Sequence, residues 1–273
     1  MMDRRTTPSN GRVALESLRG KVTADRFVAG EPARVVLPLI DLCTSPGGDR
    51  DRQLVFGDSV TVIDRQDGWA FLQSSKDGYC GYTPELALAD AQEATHWLSA
   101  PSSHLYPEPR VQAHELTVLT LGSQLRVLAL GERFAETTDG FVPVGHLRSL
   151  DDRMDDPVAA AELFLGAPYL WGGNSRVGID CSGLVQAALL ACGIACPGDS
   201  DLQAKSVGSE LPPDAELRRG DLLFWKGHVA MVADEKRIIH ATGHVMAVAY
   251  EPIDAAINRI AATSQPVLTR RRP

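Results

Sequence analysis

Two stretches, 42–88 and 105–150, carry the same marks in the same order, and this repeat limits the first half of the chain to small antiparallel modules. Each begins with a Pro-containing turn, passes a leucine before a glycine and enters an alternating strand (Val60 and Val62 against Leu125 and Val127). An Asp-Gly turn follows (Asp77-Gly78 against Asp139-Gly140), then aromatic, small and Pro residues and a closing leucine (Leu86 against Leu147). Short alternating runs broken by Asp-Gly are the pattern of hairpins with left-handed turn residues. The matched positions lie about 61–65 residues apart, the size of a five- or six-stranded barrel.

The spacing divides the chain into an N-terminal segment, 1–35, two small all-β modules, 36–90 and 91–150, and a larger unit, 151–273. A strand is expected near Ala33–Ile40, and Ala87–Ser99 reads as a helix or a connector. Asp156 before Pro157 is a helix start, an N-cap followed by a proline whose missing N–H costs nothing in a first turn. Residues 157–165 then read as a short helix. Gly166–Gly178 is a loop, and Ser182–Ala191 is apolar nearly all round, as a central buried helix is. Asp221–Trp225, His228–Val232, Lys236–Ala241 and Val245–Tyr250 read as strands. One helix followed by an antiparallel sheet makes this unit α+β.

Composition removes several classes of function. With 44% hydrophobic and 23% charged residues among 273, the chain is globular rather than disordered. Its net charge of −8 argues against nucleic acid or an anionic membrane as partner, since both need a cationic face. Arg270-Arg271-Arg272 reads as a solubilising tail. No apolar run reaches the length of a membrane span, and the first twenty residues lack the apolar core of a secretory signal. Cys43, Cys80, Cys192 and Cys196 read as small hydrophobes of a reducing compartment, with no spacing that fits a structural metal. These features point to a cytoplasmic protein that needs no cofactor and no metal.

Chemistry concentrates at Cys181, in Gly178-Ile179-Asp180-Cys181-Ser182-Gly183, on the first turn of the buried helix. The helix dipole favours a thiolate there, and the N–H groups of the turn can stabilise an oxyanion. The competing reading is a buried structural cysteine. Of seven histidines, His228 and His240 flank a polar turn, Ala233-Asp234-Glu235-Lys236, at equal distance from Asp234. An antiparallel hairpin sets them opposite each other or one residue off, so that one imidazole takes the thiol proton and the other fixes its tautomer. His244 is the spare candidate for the orienting place.

These residues resemble a known family. Tyr169-Leu170-Trp171-Gly172-Gly173, Asp180-Cys181-Ser182-Gly183-Leu184-Val185, Gly220-Asp221-Leu222-Leu223-Phe224, Gly227-His228-Val229 and Ile239-His240-Ala241 are similar, in order, to the motifs of the NlpC-type cell-wall cysteine peptidases. The two β modules resemble the bacterial SH3-like domains that precede this catalytic domain in the dipeptidyl-peptidase VI-like subgroup. The resemblance implies a papain-like catalytic domain over 151–273 and SH3-like barrels over 36–90 and 91–150. It also implies hydrolysis of the γ-D-glutamyl-L-diamino acid bond of murein stem peptides. Cys181 would be the nucleophile, His228 the base, His240 the orienting residue and Tyr169 a residue near the oxyanion.

In the subgroup that takes peptides with a free N-terminal L-Ala, Asp180 would receive the amine, and Ser182 and Ser200 would lie near the substrate. The plain alternatives are an N-cap for Asp180, a packed aromatic for Tyr169 and a polar-loop residue for Ser200. The first SH3-like domain would lend a tyrosine, Tyr82 rather than Tyr79, and an acidic residue among Asp51, Asp58 and Glu85; Trp69 is expected in its core. The function expected is therefore a cysteine endopeptidase of murein peptide recycling. Two other classes stay open: a non-catalytic murein-peptide binding module, and an acyltransferase or lipid-directed hydrolase on the same scaffold.

Overall fold

The computed structural model describes residues 2–273, which form two compact units, divided between Asp151 and Asp152. The first unit is built on a seven-stranded antiparallel sheet. Its strands run Arg50–Val55, Leu39–Cys43, Cys80–Pro84, Trp69–Ser74, Ser59–Gln66, Glu31–Val35 and Leu88–Asp90 across the sheet. Val35, Ile40, Leu42, Leu54, Val60, Val62, Leu72 and Tyr79 alternate inward to form its core. The segment read as lying ahead of this module, 1–35, contributes Glu31–Val35 to the sheet. Its earlier residues grip the same module. Arg12 and Asn10 hold the buried Asp64 carboxylate, Arg4 holds Asp51, and the Cys80 N–H donates to the Arg5 carbonyl.

Residues 88–99 are two short strands, Leu88–Asp90 and His96–Leu98, joined by a connector; the alternative of a helix there is not adopted. Beyond them lie three small sheets whose core is Leu98, Leu105, Leu119, Leu125 and Val142, with Phe56 entering from the first module. The repeat is visible as a sequence of elements. In each half a hairpin turns at Asp-Gly, a proline (Pro84, Pro143) leads into one 3-10 turn, and a short strand follows. The leucine that corresponds to Leu147 is Leu88, which heads its strand and packs on the core, whereas Leu86 is 76% exposed.

The second unit carries helices α1 (Pro157–Glu162), α2 (Cys181–Ala191), α3 (Ser200–Ser206) and α4 (Ile253–Thr263). Asp156 caps α1, its carboxylate accepting the Val158 N–H. A six-stranded antiparallel sheet runs Ser209–Leu211, Thr269–Arg272, Leu222–Trp225, His228–Val232, Arg237–Thr242 and Ala247–Pro252. Two departures from the sequence reading lie toward the C-terminus. A helix, α4, follows the strands, and its Ala256 and Ile260 pack on Leu223, Trp225, Ala230, Val232 and Ile238. Arg270–Arg272 is no tail but part of a strand between two others; the Arg271 guanidinium donates to the Val207, Ala204 and Gly208 carbonyls, and Arg272 pairs with buried Asp221.

Candidate active site

Helix α2 starts at Cys181 because Asp180, in extended backbone, caps it. The Asp180 carboxylate is almost fully committed. Oδ1 accepts from the Gly183 N–H at 2.6 Å and the Ser182 hydroxyl at 2.8 Å, and Oδ2 accepts from the Gly172 N–H at 2.9 Å. The plain N-cap role is thus present, and the same carboxylate ties the Trp171–Gly173 loop to the helix. Close packing does the rest: a Cβ on Gly183 would stand 2.5 Å from the Gly173 carbonyl oxygen. Cys181 is 6% exposed at the head of this turn.

Tyr169 is half-buried, anchored by its N–H on the Met246 carbonyl. Burial first, then the Cys181 sulfur and the Asp180 carboxylate, push its phenol up, so it stays a protonated donor near the thiol and that carboxylate. Ser182 is buried and spends its hydroxyl on Asp180. Ser200 opens α3, and Gln203, one turn on, donates to the Ser182 and Pro197 carbonyls. Gln203, which the sequence reading did not single out, thereby fastens α3 to the head of α2.

The two histidines meet, though by a different register. Met231 pairs with Ile239 and Val232 with Ile238, and Ala233 N–H donates to the Arg237 carbonyl. The loop is therefore the three residues Asp234–Lys236, centred on Glu235 rather than Asp234. Continued along the strands, this sets His240 across from Ala230 and His228 two residues further on, on the same face. That diagonal still brings His228 Nε2 to 3.0 Å from His240 Nδ1. Trp225 packs against His228, its ring tilted and 5.7 Å away between centroids. Burial lowers His228 to about 3 and also lowers His240, which is 1% exposed, so both rings are neutral at neutral pH. His244 is exposed, and the imidazole that meets His228 is His240.

The sequence reading missed the next link. Glu251 Oε2 lies 3.2 Å from His240 Nε2, and Arg259 of α4 grips the same carboxylate at 2.8 and 2.7 Å. The strand expected to end at Tyr250 runs on to Pro252, which is what places Glu251 in the sheet.

In the first unit, Tyr79 is core while Tyr82 stacks on Phe71 and lines a cavity of about 330 Å³ with Trp69, Asp64 and Asn10. Trp69 is thus a cavity wall rather than a core residue. Asp51, Asp58 and Glu85 are engaged by Arg4, Lys76 and Arg65. Among the described residues there is no cluster of three or more His, Cys, Asp or Glu placed to hold a metal ion, and no helix long and apolar enough to cross a membrane.

The fold and these groups define a class, the cysteine peptidases. Residues 166–261 match the NlpC/P60 family, and residues 42–88 match the bacterial dipeptidyl-peptidase SH3 domain. The gamma-D-glutamyl-L-lysine dipeptidyl-peptidase of Bacillus subtilis is 32% identical, over 69% of this chain and 71% of its own. Dipeptidyl-peptidase 6 of Lysinibacillus sphaericus is 26% identical, over 70% and 79%. An NlpC/P60 protein of Bacillus cereus superposes with a TM-score of 0.76 at 22% identity, over 89% of this chain and 99% of that one. The chain belongs to the NlpC/P60 family and has the papain-like fold with an N-terminal SH3-like domain.

Proposed function

We propose that this protein hydrolyses the amide between γ-D-glutamate and the L-diamino acid of murein stem peptides that begin with a free L-Ala. The observation that carries the reading is the Cys181-headed helix joined to a His228–His240 pair, in a chain similar over most of its length to a gamma-D-glutamyl-L-lysine dipeptidyl-peptidase. Cys181 heads α2, which packs on the strands of His228 and His240. His228 takes the thiol proton, and the thiolate attacks the γ-carbonyl carbon of D-glutamate. The oxyanion is met by N–H groups of the α2 first turn and by the Tyr169 hydroxyl. Collapse expels the diamino acid as its amine, protonated by His228, and leaves a thioester. Water, losing a proton to His228, attacks that thioester and releases L-Ala-D-Glu and the Cys181 thiol.

Asp180 receives the substrate ammonium, with Ser182 and Ser200 beside the peptide. The second group of strands, 96–149, is a second SH3-like barrel; the recurrent hairpin, 3-10 turn and closing strand support this. The five thiols, none in a disulfide among the described residues, support a reducing compartment and a role in murein peptide recycling.

The test follows release of L-Ala-γ-D-Glu from L-Ala-γ-D-Glu-meso-diaminopimelate, its N-acetylated form and the lysine analogue, with Cys181→Ala beside each. Cleavage of the free-amine peptides alone, lost in the variant, is expected. Equal cleavage of the acetylated peptide overturns the amine pocket at Asp180, and no cleavage of any peptide overturns the activity.

A further inference from the structure

We propose that Glu251, held by Arg259, is a positioning residue of the reaction: it fixes the proton of His240 on Nε2 and so leaves Nδ1 of His228 unprotonated, the state a base requires. This rests on the assignment of Cys181 and His228 above. Between His228 Nε2 and His240 Nδ1, 3.0 Å apart, one nitrogen carries the proton and the other accepts it. The pair itself does not choose. If His240 carried its proton on Nδ1, neutral His228 would accept on Nε2 and hold its own proton on Nδ1. It then has no lone pair to take the thiol proton.

The choice is made one residue further on. An ionised carboxylate only accepts, so Glu251 Oε2, 3.2 Å from His240 Nε2, selects the tautomer with the proton on Nε2. The approach is off-axis, leaving that N–H without a well-aligned hydrogen bond in the resting enzyme, as happens at sites that tighten only with substrate. Arg259 supplies what the selection needs. Its Nε and Nη2 donate to the two Glu251 oxygens, which aims the carboxylate and, as the first cause, holds Glu251 in its ionised form. Sheet register delivers the same picture: His240 lies opposite Ala249 and Glu251 opposite Ile238, so Glu251 takes the diagonal place on the face that bears His240. When His228 takes the thiol proton, the positive charge passes into a chain that ends on a carboxylate, which offsets part of what burial costs the imidazolium.

The test uses the full chain with Glu251→Ala and Glu251→Gln, read in two ways. The imidazole ¹⁵N signals of the wild type should show both His228 and His240 protonated on Nε2. In Glu251→Ala the His240 signals should shift towards the Nδ1–H form. With L-Ala-γ-D-Glu-meso-diaminopimelate as substrate, kcat should fall about tenfold or more while KM stays within about twofold. A carboxylate that orients the base directly is worth about 10⁴, and this one acts through an intervening ring. Glu251→Gln keeps one acceptor oxygen and should retain part of the rate; it is read alone if the alanine variant does not fold. Unchanged histidine signals, or a kcat within twofold of wild type in both variants, overturn the assignment. A wild type that cleaves nothing, or a Cys181→Ala that still cleaves, sinks the peptidase site instead, and the tautomer signals then judge Glu251 by themselves.

Discussion

Acid should unfasten the peptidase unit through its two histidines, well above the pH at which carboxylates titrate. Burial holds His228 near 3 and lowers His240, while both titrate near 6.5 in the unfolded chain. The folded state therefore binds fewer protons than the unfolded one below about pH 6.5, and stability is lost as pH falls through that value. The loss approaches about 1.4 kcal/mol per pH unit for each ring. From pH 7 to pH 5 this comes to about 2 kcal/mol per histidine, or at most about 4 kcal/mol for the pair. A loss of this size is a large part of a domain's stability. It is measured by urea titration with hydrogen-exchange mass spectrometry on peptides spanning 222–232, which follow the second unit separately from the first. The double variant His228→Gln, His240→Gln should lose most of the pH dependence. A wild type equally stable at both pH values, or a double variant that loses just as much, refutes the reasoning.

Two substitutions test the scaffold of the site. Arg272→Ala removes both guanidinium contacts, each 2.8 Å, from Asp221, which is 1% exposed and also accepts from the Arg218 N–H. Leaving this buried carboxylate without its cation should lower the urea midpoint of the second unit, with Arg272→Lys recovering part of it; an unchanged midpoint would show that the pair does not hold this strand. Gly183→Ala gains at most about 1 kcal/mol of helix propensity but drives a methyl group into the Gly173 carbonyl, 2.5 Å away. The expected net is a destabilisation of about 1–3 kcal/mol with a fall in peptide cleavage, read by the same titration and the mass-spectrometric assay; a stabilised, fully active variant would show that this loop gives way freely.

Much of the site is legible in the sequence because it is local. Asp180, Cys181 and Gly183 fall within one helical turn, and an Asp before a buried apolar run announces both the cap and the thiol's place. His228 and His240 are linked by one hairpin, so alternation alone puts them on one face. What escaped depends on exact length or on distant partners. The loop closes as three residues because Asp234 accepts from the Lys236 and Arg237 N–H groups, a choice among turn types that composition does not make. Glu251 sits one residue beyond the run that reads as strand, and only Arg259, on a helix absent from the sequence reading, gives it meaning. Arg270–Arg272 looks like a charged tail because nothing near it in sequence shows that Asp221 and three carbonyls wait for it. Trp69 has the composition of core, yet it faces a cavity with Tyr82.

The three-residue loop Asp234–Lys236 acts as a gauge for chemistry done elsewhere. It touches neither His228 nor His240, yet its length alone decides which side of the sheet His240 meets. One residue more or fewer there, with no kink to absorb it, would carry the ring through to the opposite side and part it from His228. Every residue that performs or orients the reaction would still be in the chain. The surface of this enzyme thus contains a place where the number of residues matters to the reaction, and a tally of retained active-site residues would miss it.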